Sequence, residues 1–176
     1  QTLNLLNAKQ DYAKVGALGS AWEPILSNEI ATISTESKDE TDDVARSNAA
    51  FTLGFLKLQQ GFAHYQLGDY AQAEQCLADV FKVSPSYAQI RDAGIQSGPW
   101  LDLLADAEIN RSLALNQLGQ SQEAQDSLKR FLQNAPSHTN REMAVNLIRT
   151  WDPTWIMNSS ESSVAETSGT ETTGTE

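Results

Sequence analysis

The chain has 176 residues, of which 40% are hydrophobic and 20% are charged, and its formal net charge is -11. This composition is typical of a globular protein that is long enough to bury a hydrophobic core. The acidic balance argues against nucleic acid and against an anionic membrane surface, because phosphates and anionic lipids attract clustered Lys and Arg, and no run of about 18 apolar residues indicates insertion into a membrane.

The N-terminal unit, residues 1–34, is predicted to be a pair of helices. Residues 2–18 are helical in composition, and Gly16 and Gly19 are expected to end the first helix. The segment Ser20-Ala21-Trp22-Glu23 has the pattern of a capping box, in which a hydroxyl and a carboxylate satisfy free backbone amides. A second helix is therefore expected to begin there, with Pro24 in its first turn.

Residues 35–41 are interpreted as an acidic linker, and residues 42–157 as the main helical domain with a C-terminal capping helix. Apolar residues recur at helical spacing through this domain, and no segment alternates with the period of two that a strand needs. The spacing predicts helices over about 41–67, 70–83, 87–96, 99–118 and 123–134, and a last helix opened by a capping box at Thr139–Glu142. The fold class is therefore all-α.

Residues 158–176 are rich in Ser, Thr, Gly and Glu. Such a composition buries too little apolar surface to offset the entropy of ordering, so this tail is predicted to be disordered. The first residue is Gln1 and not Met, which is compatible with a processed, exported bacterial protein. A cytoplasmic location is equally compatible with the single cysteine, so the sequence leaves the compartment open.

Two segments of the domain repeat each other without a gap, residues 65–85 and residues 116–136. Each contains Gln-Leu-Gly at a turn, and the glycine allows a tight reversal between antiparallel helices. A small residue follows where the second helix crosses the first, then a leucine one turn later and a closing proline. The matched positions are Gly68, Ala73, Leu77 and Pro85 in the first segment and Gly119, Ala124, Leu128 and Pro136 in the second.

This pattern resembles the tetratricopeptide repeat family over about 54–85 and 105–136. Gly61 also matches the glycine of that family's first helix. Two departures are visible. Charged and amide residues replace the family's large apolar residues early in each first helix, at Lys57, Gln60, Glu108 and Arg111. The turn glycines are 51 positions apart, and not about 34, so an insertion around 86–100 is expected.

The resemblance implies hairpins stacked as a short solenoid, and a concave face that receives an extended peptide or a partner helix. Carried over position by position, this candidate groove consists of Phe55, Leu58, Phe62, Tyr65, Ile109, Leu113, Asn116 and Gln117. The basic clamp by which some members hold a peptide C-terminus is not reproduced, because Leu58 and Phe62 replace its polar residues. A second interpretation stays open: the aromatic stripe is covered by the N-terminal helices as part of the core.

Residues capable of chemistry are scattered in the sequence. His64, His138 and Cys76 lack metal-ligand spacing, and no phosphate loop or nucleophile motif occurs. The acidic residues between Asp39 and Asp43 lack the glycine and spacing of a calcium loop. Trp151 and Trp155 are expected to seal the end of the stack, with a partner anchor as the alternative. No catalytic residue, metal site or cofactor is assigned.

The sequence therefore favours a non-catalytic interaction module, an adaptor or assembly factor whose partner is a protein or peptide. Two alternatives remain open at this point. The chain is a structural subunit of a larger complex, or it is a helical enzyme or small-ligand binder that uses His64 with Asp69 or Glu74.

Overall fold

The computed structural model describes residues 11–36, 40–95 and 97–156, and of residues 33–36 and 40–42 it describes the backbone alone. Its regular structure is entirely helical in these ranges, which confirms the predicted all-α class. Seven helices follow each other along the described residues: α1 Tyr12–Glu36, α2 Glu40–Gln66, α3 Tyr70–Val83, α4 Tyr87–Asp92, α5 Pro99–Gln117, α6 Ser121–Asn134 and α7 Arg141–Trp151.

The predicted break between two N-terminal helices is wrong, because α1 runs without interruption through Gly16, Gly19 and Pro24. Ser20 does not cap a helix; its hydroxyl donates to the carbonyl of Gly16, 3.1 Å away, within the same helix. Gly19 is buried, and a Cβ placed there would lie 2.4 Å from the side chain of Gln60 on α2. This glycine therefore permits close approach of two helices and does not end one.

Helices α2 and α3 form the first hairpin, and α5 and α6 form the second. Their turn glycines, Gly68 and Gly119, have φ angles of 79° and 77°, in the left-handed region that glycine adopts without steric cost. Ala73 and Ala124 are fully buried, as are Leu77 and Leu128. The predicted equivalence of the two bends is confirmed, and so are the helices on both sides of each.

The insertion between the hairpins contains the short helix α4. Ser86 caps it: the Ser86 hydroxyl accepts from the Gln89 amide, and the Gln89 side chain accepts from the Ser86 amide, which completes a capping box. The helix ends before Gly94, whose φ angle is 72°, and is shorter than the predicted range to residue 96. Pro99 then opens α5 in the first turn, as expected.

Helix α7 closes the described stack against α5 and α6. Its cap differs from the predicted capping box: the N-cap residue is Asn140, and no side-chain hydrogen bond caps the helix. The Asn140 amide instead donates to Asp106 on α5 at 2.9 Å. The N-cap therefore lies one residue after Thr139, where the box was predicted to begin, and the Asn140 side chain makes a tertiary contact and no cap.

Three apolar clusters hold the helices together. Leu26 on α1 packs with Leu53 and Leu56 on α2. A second cluster joins the hairpins through Leu58, Leu77, Val80, Leu103 and Ala107. The largest cluster joins α5, α6 and α7 around Phe131, Leu132 and Ile148.

The division of the chain at residues 34 and 41 stays a prediction. What the structure shows at this point is that α1 packs along α2 and that α2 begins at Glu40. The predicted disordered tail, 158–176, lies outside the described residues. Among the described helices, none has both the length and the apolar character needed to cross a bilayer.

Candidate partner-binding site

The aromatic half of the predicted groove lies on α2. Phe55, Phe62 and Tyr65 recur at spacings of seven and three, so they share one face of the helix. All three are half-buried and keep part of their surface accessible. Leu58 differs from them, because it is only 6% exposed and belongs to the cluster between the hairpins.

Neighbouring aromatic rings hold this face in place. Tyr12 of α1 meets Phe62 edge to face, with ring centroids 6.0 Å apart. Tyr65 lies against Tyr70 of α3, at a centroid distance of 5.4 Å. Edge and tilted contacts of this kind add to burial and restrict ring motion. The stripe is thus fixed on its sides by α1 and α3 while its rings remain partly accessible.

The second half of the predicted groove lies on α5 and is more polar. Leu113 and Asn116 are half-buried, and Gln117 is exposed. The Asn116 side chain accepts a hydrogen bond from the Ser121 hydroxyl at 2.9 Å, which ties it to the following turn. Ile109 is 5% exposed and packs in the cluster around Phe131, so little of its side chain is available to a partner.

Two of the four polar replacements, Lys57 and Glu108, are buried charges with partners, whereas the buried Oε1 of Gln60 has no hydrogen-bond partner among the described residues. Lys57 is 7% exposed, and its ammonium lies 2.5 Å from Glu23 of α1 and 3.7 Å from Asp79 of α3. Glu108 is 1% exposed and accepts hydrogen bonds from Arg130 at 2.9 Å and from the Ser127 hydroxyl. Buried charges need such partners, because an unpaired one is expensive to desolvate.

The fourth replaced position connects the two hairpins. Arg111 of α5 donates from Nε to Glu74 of α3 at 2.8 Å, and its Nη2 lies 2.7 Å from the same oxygen as an ion pair. Sequence reasoning recognised these positions as departures from the family but missed their pairing. A signal was present: Lys57 and Glu108 are aligned, Asp79 and Arg130 are aligned, and both aligned pairs have opposite charges.

Of the candidate chemical groups in the described residues, each histidine lies beside one carboxylate, and His64 is beside Asp69, a partner that the sequence suggested. His64 Nδ1 lies 3.4 Å from Asp69, and His138 Nε2 lies 3.0 Å from Asp102. Glu74, proposed as an alternative partner of His64, binds Arg111 instead. Burial raises the pKa of the Cys76 thiol, which favours its protonated form.

The structure also places the candidate metal ligands and the two C-terminal tryptophans. No group of three or more His, Cys, Asp or Glu residues suited to a metal occurs in the part of the chain that the structure describes. Of the acidic segment, Asp43 is described and pairs with Arg46 at 2.6 Å. Trp151 and Trp155 are half-buried and pack against the cluster of α5, α6 and α7, at the end of the stack where sealing was predicted.

Comparison with known proteins bears on the two hairpins. The family model described as Tetratricopeptide repeat matches residues 56–86, which comprise the C-terminal part of α2 and all of α3, and residues 106–138, which comprise most of α5 and all of α6. No curated protein matches the chain, and no solved structure matches it.

Repeats of this family are generally non-enzymatic and mediate contacts between proteins. The match, the two left-handed turn glycines and the equivalent buried alanines and leucines agree with one another. The two matched segments of the chain are therefore similar to tetratricopeptide repeats, within an all-α helical-repeat fold of that type.

Proposed function

We propose that this protein is a non-catalytic adaptor or assembly factor that binds a peptide or a partner helix along the candidate groove. The observation that carries this proposal is the face of α2, where Phe62 and Tyr65 are held by neighbouring rings, Phe55 packs against the cluster between the hairpins, and all three remain partly accessible. Rigid, half-exposed aromatic side chains are typical anchors of protein interfaces.

The second half of the groove adds hydrogen-bonding groups. Asn116 and Gln117 offer amide donors and acceptors next to the apolar surface of Leu113. A peptide backbone or a polar side chain of a partner helix finds partners there, while its apolar residues contact the rings of α2. The net charge of -11 disfavours nucleic acid as the partner, so the proposed ligand is a protein.

The test begins with identification of the partner by crosslinking and co-purification from the native source, and its affinity is then measured by calorimetry. The variant Phe62→Ala/Tyr65→Ala is expected to weaken binding by roughly 30-fold or more, because truncated aromatic anchors cost about 2 kcal/mol or more. Circular dichroism of both proteins checks that the variant keeps its helical content. The matched control is Trp22→Ala, which removes an aromatic side chain that is 53% exposed on α1, outside the groove.

A second candidate function is that of a structural subunit in a larger complex. Trp22 and Ile25 are 53% and 56% exposed and stand one turn apart on the same face of α1. If this face is the interface, Trp22→Ala weakens the complex and Phe62→Ala/Tyr65→Ala leaves it unchanged. That result would reject the groove and favour an assembly contact through α1.

A further inference from the structure

We propose that a cavity between the two repeats binds a carboxylate that is carried on an aromatic or branched apolar group. The cavity has a volume of about 340 Å³ and lies between α3, the segment before α4, α5 and α6. Its apolar side is formed by Ala78, Phe81, Pro85 and Leu104, and its polar side by Tyr87, Glu108, Arg111 and Arg130.

The hydroxyl of Tyr87 is the observation that points to a ligand. Its oxygen is buried and has no hydrogen-bond partner among the described residues. Burial, reinforced by the charge of Glu108, raises its pKa, so it remains a neutral hydroxyl with a proton to donate. A buried polar group left without a partner costs stability, and an acceptor placed in the cavity would recover that cost.

The two arginines supply further donors on the same side. Arg130 uses Nε and Nη2 to bind both oxygens of Glu108, at 2.9 and 3.2 Å, and Glu108 also accepts from Ser127. Arg111 donates from Nε to one oxygen of Glu74, and its Nη2 lies 2.7 Å from that oxygen. Because a guanidinium has five N–H donors, these hydrogen bonds leave donors on both arginines.

The chemistry of the ligand follows from the hydrogen-bond donors and acceptors that line the cavity. Glu108 is held as an acceptor by Arg130 and Ser127, whereas the buried Tyr87 hydroxyl has no partner and the guanidinium N–H groups outside these bonds are available to a ligand. A carboxylate is the acceptor that matches a guanidinium best. The apolar side requires a hydrocarbon body, and the volume is near the lower end of known ligand pockets, about 300 Å³.

This cavity is separate from the candidate groove and shares no residue with it. On α5, Leu104, Glu108 and Arg111 cluster on one face, whereas Ile109, Leu113 and Asn116 lie on the other, because successive residues turn by about 100°. The inference therefore does not rest on the proposed function. Failure of one site in experiment leaves the other unaffected.

The first experiment measures binding of 3-phenylpropionate and its neutral amide to the full chain, by calorimetry and by NMR of the arginine Nε–H signals. We expect the acid to bind at least tenfold more tightly than the amide, because the charge-assisted hydrogen bonds are lost in the amide. Equal affinity of the two compounds would overturn the proposal. The absence of binding of the acid at concentrations up to roughly 10 mM would also overturn it, because a dissociation constant above that value corresponds to a binding free energy of only a few kcal/mol.

Variants then place the ligand. Tyr87→Phe is expected to weaken binding of the acid about tenfold while the melting temperature stays the same or rises, since the variant removes an unpaired buried hydroxyl. Tyr70→Phe, outside the cavity, is the matched control and should change neither. Tyr87 also lines a second cavity beside His138, whereas Ala78 lines only the first, so Ala78→Leu should block binding by filling it. Unchanged affinity in both Tyr87→Phe and Ala78→Leu would refute the site.

A final comparison separates the two sources of such a carboxylate. A short peptide that ends in phenylalanine is measured beside 3-phenylpropionate, and the same peptide with an amidated C-terminus serves as its control. Binding of the free-acid peptide assigns the site to a chain terminus, and binding of the small acid alone assigns it to a free carboxylic acid. Either result supports a carboxylate site, and equal binding of the amidated peptide contradicts it.

Discussion

At the residue scale, the glycines of this chain have different tasks although they look alike in the sequence. Gly61 on α2 is buried, and a Cβ there would lie 2.4 Å from Cγ of Leu77 on α3. Gly16 on α1 has nothing within 4 Å of the corresponding point. At the position equivalent to Gly61, the second hairpin has Ser112, whose hydroxyl donates to the carbonyl of Ile109 at 2.7 Å. The first hairpin is therefore the more closely packed at this position.

This difference predicts opposite effects of the same substitution. Gly61→Ala is expected to destabilise the protein by about 1–3 kcal/mol, because the added methyl group overpacks the hairpin. Gly16→Ala is the matched control and should stabilise by about 0.5–1 kcal/mol, because alanine favours the helix and meets no neighbour. Urea unfolding followed by circular dichroism measures both. A stabilising effect at Gly61 would show that the hairpin is less tightly packed than described.

At the scale of elements, each hairpin contains an ion pair between its two helices, and the charges are reversed between the hairpins. Lys57 on α2 faces Asp79 on α3, and Glu108 on α5 faces Arg130 on α6. Pairing α2 with α6 would bring Lys57 to Arg130, two like charges at a buried position. The opposite order of charges in the two hairpins therefore balances the buried charge in each. It also disfavours pairing of a helix from one repeat with the wrong helix of the other.

Removal of one partner tests this contact. Arg130→Met is expected to lower the free energy of unfolding by about 2 kcal/mol, because it leaves the buried charge of Glu108 without its ion-pair partner. The loss is no larger because the guanidinium is half-exposed, so water already screens part of the interaction. The double variant Arg130→Met/Glu108→Gln should recover most of that stability, because its neutral amide still accepts from Ser127. Thermal unfolding compares the two, and equal stability of the single and double variants would contradict a buried charge penalty.

At the scale of the whole molecule, the hairpins are joined by the cluster that contains Leu58, Leu77 and Leu103, and the second hairpin is joined to α7 by a separate cluster. In repeat proteins, stability is close to a sum of repeat and interface contributions. The interface cluster therefore determines whether the two repeats unfold together.

Two leucines distinguish the contributions. Leu103→Ala, at a position 3% exposed in the interface cluster, should cost about 2–5 kcal/mol and separate the unfolding of the two hairpins. Leu132→Ala, at a position 1% exposed in the other cluster, should lower the protection of backbone amides against hydrogen exchange in α5, α6 and α7, while the amides of α2 and α3 remain protected. Hydrogen exchange measured for each helix separately tests both variants. Identical exchange patterns in both variants would show that the stack has a single cooperative core.

Several elements were predictable because their signals are local. Gly68 and Gly119 each follow a helical run and precede another, and the prolines at 85 and 136 end the hairpins. The groove residues follow from the resemblance, and their role in binding stays a prediction. The continuity of α1 was not predictable, because a glycine beside a serine is a local signal for a helix end. In the structure, Gly19 is needed because the side chain of Gln60 on α2 lies where a Cβ would be.

The sequence by itself determined the all-α class, the two equivalent bends and the inserted segment between them, because helix period, turn glycines and prolines act within a few residues. Only the tertiary structure decided where the charges go and which aromatic rings remain accessible. Lys57 pairs with Glu23 and Arg111 with Glu74 across separate helices, and Tyr87 lines a cavity that four segments enclose. Burial and ion pairing depend on which helices meet, and that information is not local.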